Sequence, residues 1–392
     1  MGQNSDPQAC GAVHMGKYCD KDNGHLLGYV DDTRLKVVLI THYWKKSKGG
    51  GVRVYLTNLA HALENNGCDV KVIYREGHDP EQIHCPSNRL AFAFTGFWHL
   101  RRIQPDIIFA HGTWYTLLAG VFYKLLHSCT LAFTIHSEPL GKMSPVARFF
   151  YQSLLNCCDC VTFVSKGLLD RVIEVDGFSF PKIAITYGGV NNVNVSSDDE
   201  ELFRSRFKIP QNEPVLLVQA FTDNQLKAEG LKLVIRALDL LRAKYPNIIL
   251  LVTKEGRFSN ELLKYSSDLG LNANVIFTGN LENPFIPLSI CDIFLFPWLG
   301  KSGVGLALLE AMSAGKPSLV IDTGNGSEAI DDGVTGLLVD SDPKAIAERI
   351  DDLIKNPDLR QTLGSNARMK ADKCFTWDKS AKTFISLYTE RY

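Results

Sequence analysis

The chain has no apolar run near the roughly 18 residues that a membrane-spanning helix requires. No hydrophobic segment of a signal peptide follows Met1. Charge excess is missing too. Lys and Arg number 42 against 43 Asp and Glu, a formal net charge of −1, which excludes a dedicated nucleic-acid binder. The ten cysteines are scattered and form no framework of the kind that holds a small secreted domain. Cys157, Cys158 and Cys160 contain one C-x-x-C spacing, but a second pair is missing and an apolar strand follows, so they read as free core thiols. No acidic or His/Cys cluster has metal-ligand spacing. These absences together predict a cytoplasmic protein.

What is present is regular. The 392 residues, 45% hydrophobic and 22% charged, are too many for one ordinary core and fit two globular domains. Residues 1–34 are polar and glycine-rich and predict a disordered extension. From Leu35 short β-branched runs alternate with amphipathic stretches. Strands are expected at 35–40, 70–73, 106–109, 131–135, 161–164 and 183–185, with a helix from Val52 to Asn65. The polar stretch 191–213 breaks the alternation and predicts a linker. Strands then resume at 215–218, 248–252, 275–277, 293–296 and 319–321, with helices at 231–243, 306–314 and 345–354. The expected fold class is α/β. Two Rossmann-like domains, 35–190 and 214–375, would face each other across a cleft with parallel sheets. Residues 376–392 form an amphipathic C-terminal helix expected to pack back on the N-terminal domain.

One stretch concentrates the chemistry. Phe294 to Pro297 leads as a buried strand into the turn Lys301-Ser302-Gly303-Val304-Gly305, and an apolar helix runs from Leu306 to a stop at Gly315-Lys316-Pro317. Such a turn brings free backbone N–H groups and the positive end of a helix to one point, which suits a phosphate. Glu310 faces the cleft if Leu306 and Leu309 face the sheet. A carboxylate there can accept both hydroxyls of a ribose. Lys48-Gly49-Gly50-Gly51-Val52 lies between the first strand and the first helix, where Gly50 and Gly51 let the backbone approach a ligand. Two strands end in histidine, His111 and His136, at the edge where α/β proteins bind ligands.

The turn and Glu310 resemble the donor-site signature of the family 4 retaining glycosyltransferases, which have the GT-B fold. The resemblance extends over most of 35–392. It includes Pro105 to Gly112, Thr134 to Ser137, Cys160 to Ser165, Ile185 to Asn191, Asn274 to Gly279, Cys291 to Pro297, Gly326 to Ile330 and Thr335 to Val339. In that family two glutamates stand eight positions apart, the first on the transferred sugar and the second on the ribose. Glu310 matches the second; Ser302 occupies the place of the first. The family also carries an arginine and a lysine that grip the diphosphate. Lys227 matches the lysine if two residues are inserted before Gly230, while the other alignment puts Glu229 there; Phe221 stands where the arginine is expected, and Lys301 is a candidate for the missing cation.

The resemblance implies a metal-independent hexosyl- or N-acetylhexosaminyl-transferase that uses a UDP- or GDP-type nucleotide sugar and no cofactor. Its acceptor would be a hydroxyl of a glycan or a lipid-linked glycoconjugate. It assigns His136 and Lys227 to catalysis, and Gly50, Gly51, Ser302, Gly303, Gly305, Leu306 and Glu310 to donor binding. His111 would line the acceptor or sugar site. Because Ser302 and Phe221 depart from the pattern, the rival reading is a weak or inactive GT-B protein that acts as a binding or regulatory partner of an active transferase. Phe92, Phe94, Phe97, Trp98, Arg101 and Arg102 set aromatics beside cations, as on an interfacial helix. Core packing with a basic edge is the plainer reading of them; peripheral contact with the cytoplasmic membrane face is the other.

Overall fold

A computed structural model describes residues 34–48, 50–86, 88–137, 143–190, 194–220, 222–300, 304–323 and 326–389. The extension read over residues 1–34 lies outside them except for Arg34.

The first half runs β1 (Lys36–Tyr43), α1 (Gly50–Asn65), β2 (Asp69–Glu76), β3 (Ile83–His84), α2 (Arg89–Ile103), β4 (Ile107–His111) and α3 (Trp114–Lys124). It continues through β5 (Thr130–Ile135), α4 (Pro145–Asn156), β6 (Cys160–Phe163), α5 (Lys166–Arg171) and β7 (Ile183–Ile185). The sheet has seven strands in the order β3-β2-β1-β4-β5-β6-β7, each pair parallel. Its strands are apolar runs because helices cover both faces. Phe92, Tyr115 and Leu155 from α2, α3 and α4 pack on one face; Tyr55, Leu56, Leu59 and Leu63 from α1 pack on the other. Cys158 and Cys160 are buried free thiols in this core.

The second half runs α6 (Ser197–Phe207), β8 (Val215–Gln219), α7 (Gln225–Leu241), β9 (Ile249–Thr253), α8 (Ser259–Asp268), β10 (Val275–Gly279) and α9 (Ile286–Ile290). It closes with β11 (Ile293–Phe296), α10 (Leu306–Ser313), β12 (Ser318–Ile321), α11 (Gly326–Ala329), β13 (Leu337–Val339), α12 (Pro343–Lys355), α13 (Pro357–Cys374) and α14 (Trp377–Thr389). Six parallel strands are ordered β10-β9-β8-β11-β12-β13. Two parallel, doubly wound sheets make the expected α/β architecture.

Polar helices are where pattern reading fell short. Helix α6 sits inside the stretch read as a linker. Ser196 caps it by accepting from the Asp199 N–H at 3.2 Å, Asp198, Asp199 and Glu200 fill its first turn, and Phe203 is its buried anchor. Capping and the helix dipole support it where apolar periodicity is weak. Helix α7 likewise begins ahead of the expected Leu231, because Asn224 caps it by accepting from the Leu226 N–H at 2.8 Å.

Contacts between the halves hold the cleft in place. The Glu328 carboxylate on α11 accepts the Lys166 N–H, and the Gly167 N–H at 3.1 Å, at the start of α5, where the positive helix end favours an anion. Helix α14 packs on α1 and on the sheet beneath it: Phe384 meets the ring of Phe109 on β4 edge-on at 4.5 Å, and Asn66, just past α1, donates to Asp378 at 3.1 Å. Gly230 on α7 leaves no room for a side chain, since a Cβ there would overlap the Pro297 carbonyl oxygen at the end of β11. Gly230→Ala is therefore expected to lower stability by about 1–3 kcal/mol, despite alanine's better helix propensity, and to lower the urea midpoint accordingly.

Candidate active site

Both sheets reverse their strand order at a switch point, between β1 and β4 in one and between β8 and β11 in the other. The carboxyl ends of strands at such points are where α/β proteins bind ligands. A cavity of about 700 Å³ lies there, lined from both halves. The first half contributes Gly50 and Gly51 at the start of α1, Tyr55, and His136 just beyond β5. The second contributes Lys227 near the start of α7, Lys254 just beyond β9, and Gly305, Leu306 and Glu310 from the β11–α10 connection.

Helix α10 divides its residues by face. Leu308, Leu309, Ala311 and Met312 are buried in the core, whereas Leu306, Ala307 and Glu310 look into the cavity. Leu306 thus departs from the expectation that it packs on the sheet. It bridges the cores of both halves instead, because the first turn of α10 protrudes beyond the sheet edge toward Gly188. Glu310 faces the cleft as anticipated, and burial raises its carboxyl from the ordinary 4.5 to about 7. Gly305 keeps the turn tight: a Cβ there would stand 2.7 Å from Phe296 Cζ.

Lys227 is half-buried, donates to the Ala220 carbonyl at 3.2 Å and lies 5.9 Å from the centre of the Trp298 ring. Burial lowers its pKa, the positive charge of Lys254 lowers it further, and Asp223 acts in the opposite sense. His136 is held to about 4 by burial and so stays neutral near pH 7. Its Nε2 lies 3.2 Å from Nδ1 of His111, and the Tyr55 ring meets it edge-on at 4.9 Å. His111 is buried behind His136 and does not line the cavity. Its expected place in the lining is therefore taken over by contact through His136, since β4 ends one layer deeper. Ser302, Gly303, Lys301 and Phe221 lie outside the described residues.

Lys254, Tyr55 and Trp298 escaped the sequence reading. For Lys254 a signal existed: it directly follows β9, at the carboxyl end of a strand. Tyr55 was hidden because its helix spacing is that of a core residue, and it is indeed buried.

A model of group 1 glycosyl transferases matches residues 199–370, and a model of glycosyltransferase family 4 matches residues 49–192. The chain belongs to the family 4 glycosyltransferases. Over 391 residues it is 24% identical to an uncharacterised glycosyltransferase of Methanocaldococcus jannaschii, covering 90% of this chain and 98% of the relative. It is 28% identical over 268 residues to the GDP-mannose-dependent alpha-(1-6)-phosphatidylinositol monomannoside mannosyltransferase of Mycolicibacterium smegmatis, covering 65% of this chain and 69% of that one. Among solved structures, Anabaena HepE in complex with UDP and glucose matches with a TM-score of 0.76 at 18% identity, over 91% of this chain and 100% of HepE. The fold of this transferase is GT-B. Glycosyl transfer is its activity class, and the rival reading of a non-catalytic partner finds no support in these matches.

Proposed function

We propose that this glycosyltransferase moves a hexose or N-acetylhexosamine from a nucleotide diphosphate sugar to an acceptor hydroxyl, with retention at the anomeric carbon. The observation that carries the reading is one cavity joining a half-buried carboxylate, a half-buried ammonium and a glycine-opened helix end, Glu310, Lys227 and Gly50-Gly51. These match in chemistry the three parts of a donor: ribose hydroxyls, diphosphate and the bond to the sugar. A nucleotide sugar also agrees with the UDP and glucose bound to HepE and with the GDP-mannose dependence of the Mycolicibacterium relative.

In the proposed mechanism Glu310 accepts the ribose hydroxyls and His136 lines the sugar pocket. The first-turn N–H groups of α1, which have no intrahelical acceptor, receive the phosphate together with Lys227. The sugar–phosphate bond breaks and the acceptor oxygen bonds to the anomeric carbon on the same face. The departing phosphate oxygen takes the acceptor's proton. Positive charge from Lys227 and the helix end offsets the charge growing on that phosphate, so the reaction draws on no metal or cofactor. A thermal-shift panel with UDP, GDP, ADP and their sugar conjugates tests the donor. A nucleotide at 100 times its dissociation constant stabilises the fold by ~2.7 kcal/mol. A response to one base series identifies it, and silence from all at millimolar concentration refutes the reading.

For the acceptor, a lipid-linked glycoconjugate has the better support. Phe92 is core, but Phe94 is 59% and Trp98 47% exposed on the same helix, beside exposed Arg101 and Arg102. Phe149 on α4 is 77% exposed, and α2, α3 and α4 contain no Asp or Glu. Exposed aromatics with cations and without acids suit an anionic membrane surface. No helix among the described residues is long and apolar enough to cross a membrane. Flotation with phosphatidylglycerol vesicles is expected to carry the protein upward, and the double substitution Phe94→Ser, Trp98→Ser to reduce this severalfold. No flotation of the wild type removes membrane contact from the proposal.

A further inference from the structure

Three neighbouring strands of the second sheet leave it through a residue in the left-handed region. Ala220 follows β8 at φ 60°, Lys254 follows β9 at φ 70°, and Gly279 ends β10 at φ 70°. Glycine adopts this conformation without a steric penalty, whereas a lysine there sets its Cβ against its own carbonyl. The surrounding structure nevertheless fixes Lys254. Its N–H donates to the Gly279 carbonyl at 2.8 Å, and its carbonyl accepts from Thr222 Oγ1 at 2.9 Å. A strained residue held by its neighbours at a cavity edge points to a role for its side chain.

The side chain leaves the sheet edge toward the opposite half. Its Nζ lies 3.1 Å from Asp223 Oδ2 and 3.9 Å from where a Cβ on Gly50 would be. Gly50 is the first residue of α1, the helix whose free N–H groups face the cavity. One ammonium from the six-stranded half thus stands at the positive helix end of the seven-stranded half. It lines the same cavity as Lys227, whose pKa is lowered first by burial and further by the positive charge of Lys254. Two cations and a positive helix end at one cavity favour an anion between them. Asp223 pairs with Lys254, and its side chain is 48% exposed and able to turn to water.

We propose that Lys254 is the second cation of the diphosphate site, in the role of the arginine whose place Phe221 occupies, and that Asp223 is its counterion until the diphosphate arrives. The inference rests on the nucleotide-sugar reading above. Binding then exchanges one ion pair, Lys254 with Asp223, for another, Lys254 with phosphate, and closes the cleft from both sides.

Calorimetric titration of UDP and GDP, with uridine and guanosine as phosphate-free controls, tests this on the full chain. Lys254→Gly is the decisive variant, because glycine takes φ 70° without strain. Its melting temperature without ligand should equal or exceed that of wild type, so lost binding cannot be attributed to unfolding. The diphosphate is expected to bind roughly 10- to 100-fold more weakly, the loss of a charge-assisted contact, with nucleoside binding unchanged. Lys254→Arg should retain affinity within a few-fold, and Asp223→Asn should improve it severalfold. Unchanged diphosphate affinity in Lys254→Gly, or an equal loss for nucleoside and diphosphate, overturns the role of Lys254 and leaves the nucleotide reading intact. If wild type binds neither diphosphate, the nucleotide reading fails and this inference fails with it.

Discussion

Lys227→Met is expected to lower the rate of donor hydrolysis, with water in place of the acceptor, by about 10²–10³-fold, the range seen when one preorganised charge stabiliser is removed. The donor KM should change much less. The reason lies in when the charge appears. In the ground state the diphosphate already carries its charge and shares it with solvent and the α1 end. As the sugar–phosphate bond lengthens, negative charge accumulates on the bridging oxygen, inside a cavity where Lys227 is half-buried and already pinned to the Ala220 carbonyl at 3.2 Å. An ammonium fixed in advance has no reorganisation to make, so its effect falls on kcat. Methionine keeps the length and the apolar stem beside Trp298. Equal kcat in wild type and Lys227→Met would remove Lys227 from the chemistry. A rise in KM alone would make it a ground-state contact.

Glu310→Gln should weaken nucleotide binding roughly 10- to 100-fold, as two hydrogen bonds to a carboxylate become bonds to a neutral amide. A 2′,3′-dideoxy nucleotide should bind wild type and variant alike, because the hydroxyls that distinguish them are gone. The pH dependence is specific. In the folded, ligand-free protein burial raises the carboxyl from 4.5 to about 7. The folded state therefore holds a proton that the unfolded state releases, and the associated stability is present below pH 4.5 and lost as pH rises through about 7. A difference of that size is worth up to about 3 kcal/mol. Urea melts at several pH values should show wild type losing stability relative to Glu310→Gln between those limits. Hydroxyl donors favour the charged carboxylate, so binding of a UDP-sugar, whose diphosphate carries no proton in that range, should release a proton from Glu310. Its affinity should rise with pH up to about 7 in wild type and stay flat in the glutamine variant. Titrations in buffers of different ionisation enthalpy measure the proton directly; none released near pH 6 would place the ribose elsewhere.

Much of this was legible in the sequence because it is written locally. Buried strands such as β4 and β5 are short apolar runs, and every residue of both is buried. Helix α1 shows its buried face by spacing alone, at Leu56, Leu59, Ala60 and Leu63. Gly50, Gly51, His136, Lys227, Gly305 and Glu310 come together in one cavity because each follows a strand at its carboxyl end. In a parallel sheet those ends share one edge. Helix α13 was not legible: its buried positions Leu363, Gly364, Ala367 and Ala371 are mostly small residues amid charges, so hydrophobicity gives little contrast.

The sequence by itself determined the alternation of strands and helices, the two glycine turns and the position of Glu310. Periodicity, turn chemistry and strand ends are properties of neighbouring residues. Only the tertiary structure decided that Leu306 bridges the halves, that His111 stands behind His136 at 3.2 Å, and that Phe94 and Trp98 face outward while Phe92 is core. It alone brought Lys254 across the cleft to Gly50. Those placements follow from the backbone dihedrals at a strand end and from packing between segments far apart in the chain, 25 positions for His111 and His136 and 204 for Gly50 and Lys254, and no local pattern encodes either.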